Sequence, residues 1–182
     1  MDSHEKEYLI VDSHLSKEPE IGHWLWALQD TRQRTMRELG RLSPAMIDWL
    51  PGGNETGNES SIGTVLYHIA DIEADWLYVE VLEQPLPPEV AALFPYQTRD
   101  KQGHLTQVEG FSLEQHLRRL ETVRGLLLDV YQAMDLPEFR RVRSLASYDV
   151  TPEWVLHHMM QHEAEHRGQI GTLRARAERH LA

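Results

Sequence analysis

Apolar residues recur at three- and four-residue intervals in four long segments, at about residues 20–42, 61–83, 112–134 and 152–179. This spacing is typical of helices that bury one face, and none of the segments alternates with the two-residue period of a strand. Pro19 and Pro152 open the first and fourth segments, and Ser112 with Gln115 fits a capping box at the start of the third. The pattern predicts an all-α protein built as a four-helix bundle.

The link between the second and third predicted helices, residues 84–111, has about 28 residues. Bundle neighbours are usually joined by roughly 2–8 residues. A link of this length can cross the end of the bundle, so we expect the second and third helices to run parallel in an up-down-down-up order. A lid over one end of the bundle is the alternative. Residues 1–19 form an unassigned N-terminal extension, and the bundle domain is predicted over residues 20–182.

Composition narrows the class of protein. The chain has 182 residues, which favours one domain, and 29 Asp and Glu against 18 Lys and Arg give a net charge of −11. That charge argues against a nucleic acid or an anionic membrane as the main partner. No apolar run approaches the roughly 18 residues of a membrane helix, and the N-terminus lacks the features of a signal peptide, so we expect a cytoplasmic protein.

Cysteine is absent and histidine is frequent, with 11 residues. A metal ion would therefore have to be bound by His, Asp or Glu, and any thiol chemistry would need a thiol supplied as a substrate. The isolated histidines His23, His104, His116 and His180 are interpreted as surface residues.

Two histidines interrupt the apolar stripe of the fourth helix, where core side chains are expected. The stripe runs through Val155, Met159, His162, His166, Ile170, Leu173 and Ala177. Unpartnered imidazoles are costly to bury, whereas residues four apart on a helix lie close enough to share one metal ion. A hydrogen-bonded pair of core histidines fits the spacing equally well.

A third ligand has to come from another helix. His158 and His166 are separated by about 12 Å along the helix axis, but two nitrogens on one ion are at most about 4.2 Å apart. The second helix offers His68 on its core-facing side. Three histidines leave positions open for water or substrate, which is typical of a catalytic site. Asp71 and Asp75 continue along the same face as acid–base candidates, and His158 is a candidate outer partner.

Two other metal motifs overlap these residues. His162, Glu163 and His166 formally match H-E-x-x-H, in which Glu163 would activate a zinc-bound water for hydrolysis. Only 16 residues follow His166, which leaves no segment for the further ligand of that class. Glu163 and His166 also form one Glu-x-x-His unit of a di-iron bundle, but no second unit occurs on the other predicted helices.

The motifs together resemble the DinB/YfiT-like superfamily. His162-x-x-x-His166-Arg167-Gly168-Gln169 is similar to the H-x-x-x-H-R-G-Q motif of that family. Residues 61–76 look like its second-helix segment with a metal-ligand histidine, and residues 42–51 look like the segment before it. The resemblance covers residues 21–174.

This resemblance implies an up-down-down-up four-helix bundle with a divalent ion on three histidines, which correspond to His68, His162 and His166. Zinc or nickel is the expected metal, and iron is possible. Relatives include thiol S-transferases and thiol-dependent isomerases, and dimers are common among them. The leading hypothesis is therefore a homodimeric, metal-dependent enzyme that acts on a small molecule. The reaction expected from the resemblance is that of a transferase that uses a low-molecular-weight thiol. Arg167 and Gln169 are candidate ligand-orienting residues. The alternative is a non-catalytic metal-binding bundle that acts as a sensor, carrier or interaction module.

Overall fold

The computed structural model describes residues 10–40, 42–52 and 59–181. Four long and three short helices span the described chain: α1 (Pro19–Leu39), α2 (Pro44–Ile47), α3 (Ile62–Asp75), α4 (Pro88–Ala91), α5 (Leu113–Ala133), α6 (Leu136–Phe139) and α7 (Pro152–Leu181). A π-helical turn (Trp76–Val81) extends α3, and two short antiparallel strands, β1 (Arg143–Ser144) and β2 (Asp149–Val150), precede α7. The predicted four-helix class is confirmed. The strand pair was not predicted, because two-residue strands are too short to show a period.

Contacts between helices give their relative directions. α3 and α5 run parallel, because the contacts of Tyr67 with Arg119 and of Glu73 with Arg124 advance together along both helices. α1 and α7 are also parallel, because Arg32 contacts Glu163 and, further along both helices, Glu38 contacts Arg174. α3 and α7 are antiparallel, because His68 contacts His166, whereas Trp76, later in the chain, contacts the earlier residue His158. The four long helices therefore point up, down, down and up.

A buried ring of four charged side chains joins all four long helices, with one residue from each: Arg32, Glu73, Arg124 and Glu163. Arg32 donates to Glu163 Oε1 at 2.7 Å and to Glu73 Oε2 at 2.8 Å. Arg124 donates to both oxygens of Glu73, at 2.6 and 2.9 Å, and to Glu163 Oε2 at 3.0 Å. Each charge has partners of opposite sign, which offsets much of the cost of removing it from water. Apolar residues pack on both sides of the ring.

The long link between α3 and α5 runs back along α3, from the contact of Thr98 with Asp71 to the contact of Gln107 with Thr64. It carries α4 and a small turn structure. We call residues 98–106 the crossover hairpin. Its two arms meet at an isolated bridge between Arg99 and Leu105, and the Asp100 amide donates to the His104 carbonyl at 2.9 Å. Gly103 at the tip has a φ of 88°, which favours glycine. Thr98 Oγ1 donates to Asp71 Oδ2 at 2.6 Å and so ties the hairpin to α3.

Of the predicted N-terminal extension, residues 10–18 are described, and they lie against the start of α1. A Cβ built on Gly22 would lie only 2.1 Å from the Ser13 carbonyl oxygen, which shows how closely the two backbones approach. Leu15 packs against the core, so this segment contributes to the packing of the bundle. Within the described residues, no helix is long and apolar enough to cross a membrane.

Candidate metal centre

The three predicted metal ligands meet between α3 and α7. His162 Nε2 lies 3.1 Å from His68 Nε2 and 3.1 Å from His166 Nε2. The antiparallel packing of the two helices places His68 opposite the gap between two successive turns of α7. One nitrogen from each ring lies within 4.8 Å of those of the other two. His68 is buried, and the other two rings are partly exposed.

Hydrogen bonding alone does not satisfy these nitrogens. Gln169 Oε1 lies 2.9 Å from His166 Nδ1, so this nitrogen is the donor and His166 Nε2 carries the lone pair. His162 Nε2 would then have to donate to His166, and it could not also accept a hydrogen from His68. A cation that accepts a lone pair from each ring fits all three. Nitrogens on one tetrahedral ion lie about 3.4 Å apart, close to the 3.1 Å contacts here.

Burial favours the neutral form of His68 and His162, which is the form that binds metal. Burial, with His166 and Arg99 nearby, lowers the pKa of His68 to about 4. Burial and the neighbouring histidines lower the pKa of His162 to about 3. At neutral pH both side chains therefore have lone pairs available.

The three histidines open into a cavity of about 410 Å³. The cavity is also lined by Gln169, Glu59, Ser60 and Gln107. The crossover hairpin supplies another part of the lining with four residues: Arg99, Gly103, His104 and Leu105. A small molecule in this cavity would contact both the histidines and the hairpin.

The other predicted site residues lie in different surroundings. Asp71 is buried and accepts the hydrogen bond from Thr98, and burial raises its pKa. Asp75 is exposed, although partial burial raises the pKa of its carboxyl too. Neither carboxylate lines the cavity, so the structure favours a role for Asp71 in anchoring the hairpin. Their predicted acid–base roles stay predictions.

Arg167 and His158 also lie outside the cavity lining. Arg167 Nη1 points to the Thr31 carbonyl of α1 at 3.5 Å. His158 stacks on Trp154 with ring centroids 5.1 Å apart and lies 5.9 Å from the His162 ring. It therefore supports the site through an aromatic cluster, whereas Gln169 contacts a predicted ligand directly.

Glu163 does not reach the site that an H-E-x-x-H hydrolase would require. It is 1% exposed and is bound by Arg32 and Arg124 in the buried ring. Burial alone would raise the pKa of Glu163, but the two guanidinium groups outweigh it and hold the pKa below its ordinary value. The side chain is a fixed structural anion, and the structure contradicts its assignment as a general base.

One histidine lies elsewhere than the sequence predicts, and the role of the hairpin was missed. His116, expected at the surface, is 1% exposed, because α5 packs on α3 where Gly63 leaves room for the ring. His104 is exposed, as expected, and it lines the cavity together with Arg99. A loop of polar residues without periodicity carries no signal of where its side chains point, so the hairpin residues could not have been assigned from the sequence.

A family model shows which family this chain belongs to. The model described as the DinB superfamily matches residues 27–170. The chain belongs to the DinB superfamily. The resemblance seen in the motifs is thereby confirmed, and the model's range includes His68, His162 and His166.

Comparison with solved structures agrees on the fold of this DinB superfamily member. One similar solved structure carries this description: "YfiT from Bacillus subtilis is a probable metal-dependent hydrolase with an unusual four-helix bundle topology". It superimposes on this chain with a TM-score of 0.57 at 14% sequence identity. The match covers 96% of this chain and 94% of that chain. At this identity the similarity shows the fold alone. No curated protein matches the sequence.

Proposed function

We propose that this protein is a divalent-metal-dependent enzyme that acts on a small molecule in the cavity between α3 and α7. One observation carries the proposal: three histidine nitrogens lie within 4.8 Å of one another and open into a cavity of about 410 Å³. A structural metal site is normally closed by four protein ligands, whereas three ligands beside a cavity leave room for a reactant.

The residues that would hold the ion are His68, His162 and His166, and three imidazole ligands suit zinc, nickel or iron. When bound, such an ion lowers the pKa of a water or a thiol and so supplies a nucleophile at neutral pH. Gln169 holds the His166 ring through Nδ1. The crossover hairpin lines part of the same cavity.

The reaction we propose is attack of a low-molecular-weight thiol on an electrophilic carbon, in line with the thiol-dependent relatives of the superfamily. A C–S bond would form while the carbon–halogen bond of an alkyl halide or a C–O bond of an epoxide breaks, with release of halide or formation of an alcohol. The chain has no cysteine, so the thiol would enter as a co-substrate. Hydrolysis is the second candidate, because the similar YfiT structure is described as a probable metal-dependent hydrolase. In that case water would take the place of the thiol. The homodimer and the cytoplasmic location expected from the sequence stay predictions.

A turnover screen separates these candidates. The metal-loaded protein would be incubated with a panel of alkyl halides and epoxides, with and without glutathione, cysteine and other small thiols, and with activated esters. Thiol-dependent product formation that is lost in His162→Ala supports thiol transfer, and ester cleavage lost in the same variant supports hydrolysis. His116→Gln is the matched control, since it removes a buried histidine outside the site. Tight metal binding without any product would instead favour a sensor or carrier.

A further inference from the structure

The crossover hairpin presents a charged side chain to the cavity. Arg99 lies beside the bridge that closes the hairpin, and its Nη1 donates to the Gly103 carbonyl at 2.9 Å. The hairpin in turn is fixed to α3 by the bond from Thr98 to Asp71. Since Asp71 lies one turn after His68, the guanidinium is positioned relative to the three histidines by a short series of contacts.

Of the two charged side chains that line the cavity, Glu59 and Arg99, only Glu59 is paired with a group of opposite charge. Its Oε1 lies 2.7 Å from Arg176 Nη1. Among the residues that the structure describes, no carboxylate lies within 4.0 Å of the Arg99 guanidinium. One hydrogen-bond donor of Arg99 is used by Gly103, and an arginine has five. The remaining donors are available to a ligand.

The negative net charge of the chain makes the position of Arg99 beside the cavity distinctive. The whole chain carries a net charge of −11, which by itself disfavours anionic ligands. Charges more than about 8 Å away are largely screened at physiological ionic strength, so an anionic ligand in the cavity would interact mainly with the Arg99 guanidinium and with the proposed ion. The fork of an arginine also matches the two oxygens of a carboxylate or phosphate.

We infer that the cavity selects a substrate with an anionic oxygen group, such as a carboxylate, which binds to Arg99 while the reacting part of the molecule faces the three histidines. This inference rests on the proposed function, because it assigns the substrate class of the same cavity. Arg99 is a specificity-determining residue in this account.

Matched thiols test the inference. Binding of 3-mercaptopropionate and 3-mercapto-1-propanol would be measured by isothermal titration calorimetry on zinc-loaded protein of known metal content. The two probes share the sulfur and differ in the anionic group; thioglycolate and 4-mercaptobutyrate vary the reach. Wild type should bind the best carboxylate at least about tenfold tighter than the alcohol, the range of a charge-assisted hydrogen bond. In Arg99→Gln this ratio should fall to near one, while the affinity for the alcohol is retained.

Arg118→Gln is the matched control. It removes the same charge from α5, where Arg118 is exposed and lies outside the cavity lining, and it should keep the wild-type ratio. A ratio that is unchanged in Arg99→Gln, or that falls equally in Arg118→Gln, overturns the inference.

Failure of the metal site gives a different result. If the protein takes up no zinc, the proposed function fails, and the same titrations on metal-free protein still test Arg99. Arg99-dependent binding of the carboxylate without binding of the alcohol then supports the inference. Absence of carboxylate binding in both forms of the protein overturns it.

Discussion

Gln169 determines which nitrogen of His166 faces the other two histidines. Its Oε1 accepts from Nδ1, which leaves Nε2 with the lone pair. Partners of this kind orient a ligand ring, and their loss typically lowers metal affinity by about 10–100-fold. We therefore expect Gln169→Ala to weaken zinc binding by that factor in a competition assay with a chromogenic chelator. Arg167→Ala, the neighbouring control, should leave affinity within about twofold, and an equal loss in both variants would contradict this role.

His116 gives a pH dependence that is separate from the candidate metal centre. Burial and the nearby Arg119 lower its pKa to about 4 in the folded protein, whereas an unfolded histidine titrates near 6.5. The unfolded chain therefore binds more protons between these values, and stability falls as pH decreases from about 7 to 5, by about 1–2 kcal/mol from this residue. His116→Gln should flatten the dependence of the unfolding free energy on pH, measured by urea denaturation. His23→Gln, at an exposed position, should leave the slope unchanged; a wild-type slope in His116→Gln would refute the assignment.

The sequence predicts the three histidines because helical spacing converts directly into position on a core face. It does not predict that Arg99 lines the cavity. The direction of this loop side chain depends on the contact of Thr98 with Asp71, and no repeating pattern in the sequence signals that contact. The sequence also misplaces His116, whose burial depends on the absent side chain of Gly63 in another helix.

At the scale of elements, two glycines in long helices differ in what surrounds them. A Cβ on Gly22 would collide with the backbone of Ser13, whereas a Cβ on Gly125 meets nothing within 4 Å. We expect Gly22→Ala to displace residues 10–18 and to cost about 1–3 kcal/mol, with faster proteolysis of that segment. Gly125→Ala should stabilise α5 by about 0.5–1 kcal/mol in urea unfolding, because alanine favours a helix. Equal effects of the two substitutions would contradict the close approach at Gly22.

Helix positions followed well from the sequence, and helix ends less so. The third and fourth predicted helices agree with α5 and α7 to within two residues, because a capping box and an N-terminal proline mark their starts. The second was expected as one helix to about residue 83, but α3 changes to a π-helical turn after Asp75. Apolar spacing does not distinguish these two backbone forms over a single turn.

At the scale of the whole molecule, the four long helices are joined by the buried ring of Arg32, Glu73, Arg124 and Glu163. Glu163→Gln would leave two buried guanidinium groups with one carboxylate, and breaking such a pair costs about 3–5 kcal/mol. We therefore expect Glu163→Gln to unfold at a lower urea concentration than the wild-type protein. Glu165→Gln, an exposed substitution two residues along the same helix, should be nearly neutral. Normal stability of Glu163→Gln with complete loss of turnover would instead support the H-E-x-x-H interpretation.

The same ring shows why the overall fold could be predicted when its interior could not. Four amphipathic segments and one long link were sufficient to predict the bundle and the order of helix directions. Most charged residues on these helices are at least partly exposed to solvent. The four residues of the ring are buried because they lie at the same height in the bundle and contact one another there, which no single helix reveals.

Metal content and affinity test the central claim most directly. Protein purified without a nickel column would be analysed by plasma mass spectrometry and then titrated with zinc in competition with a chelator. We expect about one ion per chain, with at least tenfold weaker binding in His68→Ala, His162→Ala and His166→Ala. His116→Gln, with a buried histidine outside the site, should retain wild-type stoichiometry. A protein that takes up no metal, or whose metal content is unchanged in the three alanine variants, would contradict the account.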